Sequence, residues 1–393
     1  MSAVADDLRM VLLDAADAVA PCIRAHGDEI ERERRIVGPV VDALHERGLF
    51  RMLLPRSLGG WEVDPVTFVS VIEAVARHDA STAWCLCQGS GCSMISAYVD
   101  HRIGEQIFGA DPRAVLAWGQ PQGARAVPVD GGYRLTARWM FASGSHHATW
   151  LGGISPVFEP DDSPRLRDDG TQDSRYFLFP APDARLIDVW QVSGLRGTGS
   201  DTIAVDDLFV PRERTTRQAP DERREQGPLY RFLFTHLYAS GFSSVAQGVA
   251  RGMLDAFVEL AAAKTARGTS GALRENAVIQ AQVGRAEAML GSARAYLHAT
   301  LDDAWREVNR TGALTLAQRV RIRLASTFGA HQAMSVADTL FHAAGSSAIF
   351  TANPFERRFR DIHAVSQQVQ ARQTHFETVG QFLLGLEPDQ GFL

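Results

Sequence analysis

The stretch GLRGTGSDTIAVDDLFVP, residues 194–211, decides how this chain is read. Its first half spaces Gly194, Gly197 and Gly199 as a turn requires, and its second half, TIAVDDLFVP, alternates apolar and polar residues as a half-buried strand does. Pro211 ends the strand, because proline has no amide hydrogen to give a neighbour. Glycines at this spacing are weak evidence of phosphate binding, so for Arg196, Thr198 and Ser200 a plain turn stands beside a ligand contact.

The same texture extends upstream. Residues 132–140, GYRLTARWM, read as a strand entered through Asp130-Gly131-Gly132, and Trp150, Leu151, Ile154, Val157 and Phe158 mark another. Residues 159–174, rich in Asp, Pro and Ser, form an exposed loop. On either side the chain turns helical. Pro39 to Arg47 is a short helix stopped by Gly48, and Asp64-Pro65 opens one carrying Phe68, Val71, Ile72 and Val75. Downstream, Ile279, Val283, Leu290, Leu297, Leu301 and Val308 lie on one face of a long helix. Thr315 and Gln318 make a capping box for the next, which runs through Val320, Leu324 and Phe328 to Gly345. Helices this long and regular pack as an antiparallel bundle. The chain divides into a helical part at 1–112, a strand part at 113–227 and a helical bundle at 228–393, a mainly α fold with a central β domain between helical layers.

A net charge of -6 with pI near 6.1 leaves no basic surface for nucleic acid. Cys85, Cys87 and Cys92 are close together, but no second Cys/His cluster stands at ligand spacing, so no metal is expected and the thiols read as small buried residues. The first residues carry acids where a signal peptide carries bases, and no apolar run reaches membrane length. A cytoplasmic protein is expected.

Four segments resemble the acyl-CoA dehydrogenase superfamily: LLPRSLGGWEVDP with EAVARHDASTAW, then RWMFASGSHHATW, then GLRGTGSDTIAVDDLFVP, then RFRDIHAVSQQVQ with FETVGQFLLG. The resemblance covers nearly the whole chain. It implies an N-terminal helical domain, a middle β-barrel and a C-terminal four-helix bundle. Dehydrogenases of this family take a proton with a carboxylate a few residues past an Arg-Asp pair. Here the pair is Arg360 and Asp361, that position falls near Val369, and no acid follows before Glu377. Trp84 in STAW, Ser143 in FASG and the ending FETVGQFLLGLEPD are closer to the two-component flavin monooxygenases.

That branch takes reduced FMN or FAD from a separate reductase and uses O2, through a flavin hydroperoxide, to oxygenate an aromatic or heteroatom-containing small molecule. The resemblance implies Phe141, Ala142 and Ser143 against the flavin, with Ser143 as a hydroxyl donor and the Ala142 and Ser143 backbone touching the flavin edge. Arg196, Thr198 and Ser200 are further cofactor contacts. Arg274 and Gln282 would hold the flavin tail of a neighbouring subunit in a homotetramer, beside the bundle turn at Gly345 and Ser346; a solvated helix face and a helix C-cap are the plainer readings. Trp84, His146 and Gln368 are substrate contacts. Trp84 and Trp139 are candidate walls of the substrate cavity and also read as core, and His146 and His147 read also as a solvated turn at the strand end. Where the hydroxylases carry a histidine after Ser-Gln, this chain has Gln368 after Ser366 and Gln367, and glutamine is no base. His363 is the substitute base on the same helix, roughly 140° around from Gln368. An FAD-dependent acyl-CoA dehydrogenase is the alternative; an amine oxidase or N-hydroxylase and a non-catalytic scaffold are the others.

Overall fold

The computed structural model describes residues 3–265 and 271–393. The N-terminal third folds as α1 (Ala3–Ala25), α2 (Gly27–Glu33), α3 (Gly38–Glu46), α4 (Pro65–Ala76), α5 (Ala80–Ser93) and α6 (His101–Gly104). Side-chain caps set the helix starts: Asp64 Oδ1 accepts the Thr67 amide at 2.9 Å, and Asp79 Oδ1 the Thr82 amide at 2.7 Å. Each bond satisfies an amide that the helix itself leaves without a partner. Cys85, Cys87 and Cys92 are buried in α5.

The middle carries β1 (Leu116–Trp118), β2 (Gln120–Pro121), β3 (Arg125–Val129), β4 (Gly132–Met140), β5 (Trp150–Pro156), β6 (Ser174–Pro180), β7 (Arg185–Ile187), β8 (Thr202–Pro211) and β9 (Thr215–Thr216). A closed barrel is not what the pairing makes. One sheet runs β1-β5-β6-β9, the other β2-β4-β8-β7 with β3 on β4. They share an apolar core that includes Phe177 and Phe179 from one sheet and Leu135, Trp139 and Ile203 from the other. An isolated bridge from Ala126 to Val157 joins them along one side. Trp139 is fully buried there, its Nε1 donating to the Ile154 carbonyl at 2.9 Å, so it is core and not a cavity wall.

The C-terminal part is α7 (Phe234–Ala263), α8 (Ala277–Thr311), α9 (Leu316–Ala344), α10 (Phe355–Ser366) and α11 (Thr374–Leu383). The α9 start is the expected capping box, with the Thr315 amide on Gln318 Oε1 at 2.9 Å and the Gln318 amide on Thr315 Oγ1 at 3.3 Å. Ile279, Leu290, Leu297, Leu301 and Val308 are buried along α8. The last segment departs from a single helix: α10 ends at Ser366, and Val369–Ala371 makes a 3-10 turn before α11. One core runs from the N-terminal helices into the bundle, with α4 and α5 packed on α7.

Candidate active site

Two chain reversals meet over the first turns of α5. One is the turn after β4, Phe141 to Gly144; the other is the glycine-rich turn before β8. Gly194 lies so close to α10 that a Cβ there would sit 2.2 Å from the Arg360 carbonyl. Gly199 has φ +51, a left-handed conformation that L side chains rarely adopt. With these glycines in place, Ser200 reaches Ser143 and Thr198 reaches Ser200.

The result is a chain of hydrogen bonds. Trp84 Nε1 donates to Ser143 Oγ at 2.9 Å; Ser143 Oγ is 2.6 Å from Ser200 Oγ, which is 2.7 Å from Thr198 Oγ1, and Thr198 donates to the Leu195 carbonyl at 2.8 Å. Ser143 is 5% exposed, and Thr198 and Ser200 are 2% exposed, so bulk water does not compete for these bonds. Trp84 also stacks on Phe242 with centroids 3.9 Å apart, and Phe242 on Tyr238 at 5.6 Å. Phe242 and Tyr238 were missed in the sequence. Their signal was available: Phe234, Tyr238 and Phe242 recur every four residues, one face of α7.

Phe141 sits at φ 58, strained for a residue with a Cβ, and is 54% exposed, edge-on to Trp190. The Ala142 amide donates to the Asp201 carbonyl and the Ser143 amide to the Phe141 carbonyl. Both backbone amides thus have a partner within the chain.

Other candidates go elsewhere. His146 Nε2 is 2.7 Å from Asp201 Oδ2, whose other oxygen accepts the Val189 and Trp190 amides, so His146 is tied to a structural carboxylate. His147 has both ring nitrogens buried without a partner, and burial pushes its pKa down to about 3, leaving it neutral. Arg196 pairs with Glu31 at 3.8 Å and lines a charged cleft of about 680 Å³ with Arg357, Arg360 and Asp361, so it parts company with Thr198 and Ser200. In that cleft Asp361 accepts the Leu195 amide at 2.6 Å, anchoring the glycine turn to the bundle.

His363 Nε2 meets Asp338 Oδ1 at 2.9 Å, with its ring against Phe359. Gln368 lies beyond α10, its Oε1 accepting the Gln370 amide at 2.6 Å. The two share no helix, so the angular relation expected of them does not hold. Val369, where a dehydrogenase would carry its carboxylate, begins the 3-10 turn and gives its carbonyl to His375.

Arg274, Gln282, Gly345 and Ser346 form a second group. Gly345 is the C-cap of α9, Ser346 and Arg274 are exposed, and Gln282 Oε1 is buried with no partner. Lys264 joins this group: its amine donates to the Ala344 carbonyl at 2.7 Å and to Ser347 Oγ at 2.9 Å, while its carbonyl accepts the Leu273 amide. Lys264 follows Phe242 along α7 by twenty-two residues, about 33 Å of helix.

Helical layer, two sheets and helical bundle, with a buried hydroxyl chain between them, define the architecture of an acyl-CoA dehydrogenase-like flavoprotein. Family models for the acyl-CoA dehydrogenase N-terminal domain and C-terminal domain match residues 5–106 and 240–373. The flavin-dependent monooxygenase, oxygenase subunit HsaA, of Rhodococcus jostii (strain RHA1) is 31% identical over 88% of this chain and 91% of that protein. Indole-3-acetate monooxygenase of Pseudomonas putida is 30% identical over 94% of this chain and 92% of that protein. The crystal structure of 3-HSA hydroxylase from Rhodococcus sp. RHA1 matches with a TM-score of 0.88 at 28% identity, over 97% of this chain and 98% of that one. This chain belongs to the acyl-CoA dehydrogenase superfamily, in its branch of two-component flavin-dependent monooxygenases. Among the described residues no helix is long and apolar enough to cross a membrane, and no group of three or more His, Cys, Asp or Glu could hold a metal ion.

Proposed function

We propose that the chain hydroxylates an aromatic small molecule, consuming O2 and reduced FMN or FAD supplied by a separate reductase. The observation that carries this reading is the Trp84–Ser143 hydrogen bond with Phe242 and Tyr238 stacked behind it. A reduced flavin supplies, when bound, the electrons that activate oxygen. The residues present fit such a group: Ser143 offers a buried hydroxyl at a turn of small residues, and Phe141 offers an exposed ring beside it.

The chain's own contribution is to bind, orient and keep water out. Ser143 meets the polar edge of the flavin ring, held in place by Trp84 on one side and Ser200 and Thr198 on the other. No charged side chain takes part in that hydrogen-bond chain. The aromatic ladder favours an aromatic substrate through offset stacking. Gln368 orients the substrate by hydrogen bonds and removes no proton. Arg274, Gln282, Gly345 and Ser346 serve the flavin tail of a neighbouring copy in a homotetramer, because about 33 Å of α7 separates their end of the bundle from Phe242. The middle sheets at 113–227 then act as the platform between helical parts 1–112 and 228–393.

The test is rapid mixing of protein loaded anaerobically with reduced FMN or FAD against buffer carrying labelled oxygen gas, with a panel of phenols and indoles present. The expected result is a return of oxidised-flavin absorbance slower than for free flavin, and a product that has gained one labelled oxygen. Return at the free-flavin rate with no labelled product removes the reading.

A further inference from the structure

The hydrogen atoms along the Ser143 chain can be counted. Indole nitrogen only donates, so Trp84 gives its hydrogen to Ser143. The Leu195 carbonyl at the other end only accepts. Between these ends lie three hydroxyls with one hydrogen each, and three contacts: Ser143–Ser200, Ser200–Thr198 and Thr198–Leu195. Filling all three uses every hydroxyl hydrogen. Ser143 then has received one bond and given one, and keeps a single free lone pair. It faces a ligand as an acceptor.

That outcome discriminates between flavin redox states. The N5 position of a reduced flavin carries a hydrogen and donates; the same position of an oxidised flavin is a bare acceptor. We infer that the Ser143–Ser200–Thr198 hydroxyl chain is a redox-state filter, in which Ser200 and Thr198 hold Ser143 as an acceptor and so favour reduced over oxidised flavin. The inference rests on the placement of Ser143 at the flavin edge proposed above.

The filter is graded because the chain can run backwards. Thr198 can donate to Ser200, Ser200 to Ser143, and Ser143 outward to the oxidised ring. Reversal gives up the Thr198–Leu195 bond alone. The Leu195 carbonyl still accepts the Thr198 amide at 3.1 Å and Trp190 Nε1 at 3.0 Å, so it is not stranded. The cost is one net hydrogen bond, which corresponds to a preference of about threefold to tenfold. An enzyme that receives reduced flavin and must release oxidised flavin gains from a preference of that size and direction.

Ser200 and Thr198 are therefore specificity-determining residues that act through Ser143. The test is the ratio of the dissociation constants of oxidised and reduced FMN and FAD, measured by anaerobic titration. Ser200→Ala leaves the Ser143 hydroxyl without an inward acceptor, and Thr198→Val does the same one step further along while keeping the side-chain shape. Each variant is expected to lower the oxidised-to-reduced ratio by about threefold to tenfold, chiefly by tightening oxidised flavin. A tenfold change appears as about 30 mV in the two-electron midpoint potential of the bound flavin, read with equilibrating dyes. Thr198→Val carries the test if Ser200→Ala fails to fold. A parental ratio in both variants, with a changed ratio in Ser143→Ala, overturns the filter and leaves Ser143 at the flavin. A parental ratio in Ser143→Ala as well overturns the filter together with the placement of Ser143, while labelled-oxygen turnover still reports the reaction independently.

Discussion

Trp84 and Ser143 are joined by a 2.9 Å hydrogen bond that spans 59 residues of sequence and ties α5 to the turn after β4. The indole spends its only polar hydrogen on that serine, and its ring face on Phe242. One side chain from the helical layer thus holds one side of the candidate site, and Ser200 and Thr198 hold the other.

Trp84→Phe keeps the stack and removes the donor. Ser143 then loses one of the two side-chain contacts that hold its rotamer. The expected outcome is an increase of about threefold or more in hydrogen peroxide released per reduced flavin consumed, with a lower melting temperature because a smaller ring fills the buried indole's place. Peroxide yield equal to the parent's would show that the bond does not serve the reaction.

His363 is bound to Asp338, partly in solvent, and on α10 rather than beside Gln368. His363→Ala is expected to keep turnover within about twofold at neutral pH and to cost under about 1 kcal/mol of stability, as for other exposed pairs. Loss of turnover at pH 7 that returns at high pH with a phenolic substrate would restore His363 as the base.

His236 caps the start of α7 as a neutral ring, its Nδ1 accepting the Leu233 amide at 3.1 Å. Burial, with Arg323 and Arg319 nearby, lowers its pKa to about 3. Below pH 6.5 the unfolded chain takes up a proton that the folded chain refuses, so stability is lost as the pH falls from 6.5 toward 3. At pH 5 this amounts to about 2 kcal/mol. His236→Gln keeps an acceptor and removes the titration, so its melting temperature should drop less between pH 7 and pH 5 than the parent's. An equal drop rejects the assignment.

Asp361 behaves in the opposite sense. Burial raises its pKa to about 7 against the pull of Arg357, with Asp79 and Glu31 adding to the rise. The fold holds that proton more tightly than the unfolded chain does, so the contribution is complete below the ordinary value of 3.8 and declines as the pH rises to about 7. Asp361→Asn keeps an acceptor for the Leu195 amide and has no proton to lose. The melting-temperature difference between variant and parent should grow in the variant's favour from pH 4 to pH 7; a constant difference counts against the assignment.

Much of the molecule was legible along the chain because its causes are local. The Thr315–Gln318 capping box, the Asp64 cap, the α8 stripe and the strands at 132–140 and 202–211 each depend on residues within a turn or two of one another. The resemblance placed Trp84, Ser143, Thr198 and Ser200 on the candidate list, yet nothing local showed that they touch. Ser143 and Ser200 are 57 residues apart, and only the docking of two turns over α5 brings their hydroxyls to 2.6 Å. The same dependence on distant partners sent Arg196 to Glu31, His146 to Asp201 and His363 to Asp338. Helix periodicity also misplaced Gln368, because α10 stops at Ser366. Periodicity and caps are written into neighbouring residues, so the sequence alone determined the helices at 38–46, 65–76, 277–311 and 316–344, the strands at 132–140, 150–156 and 202–211, and their order. A hydroxyl's partner depends on which segments pack together, so only the tertiary structure decided that Ser143 receives its bond from Trp84 and passes its own to Ser200.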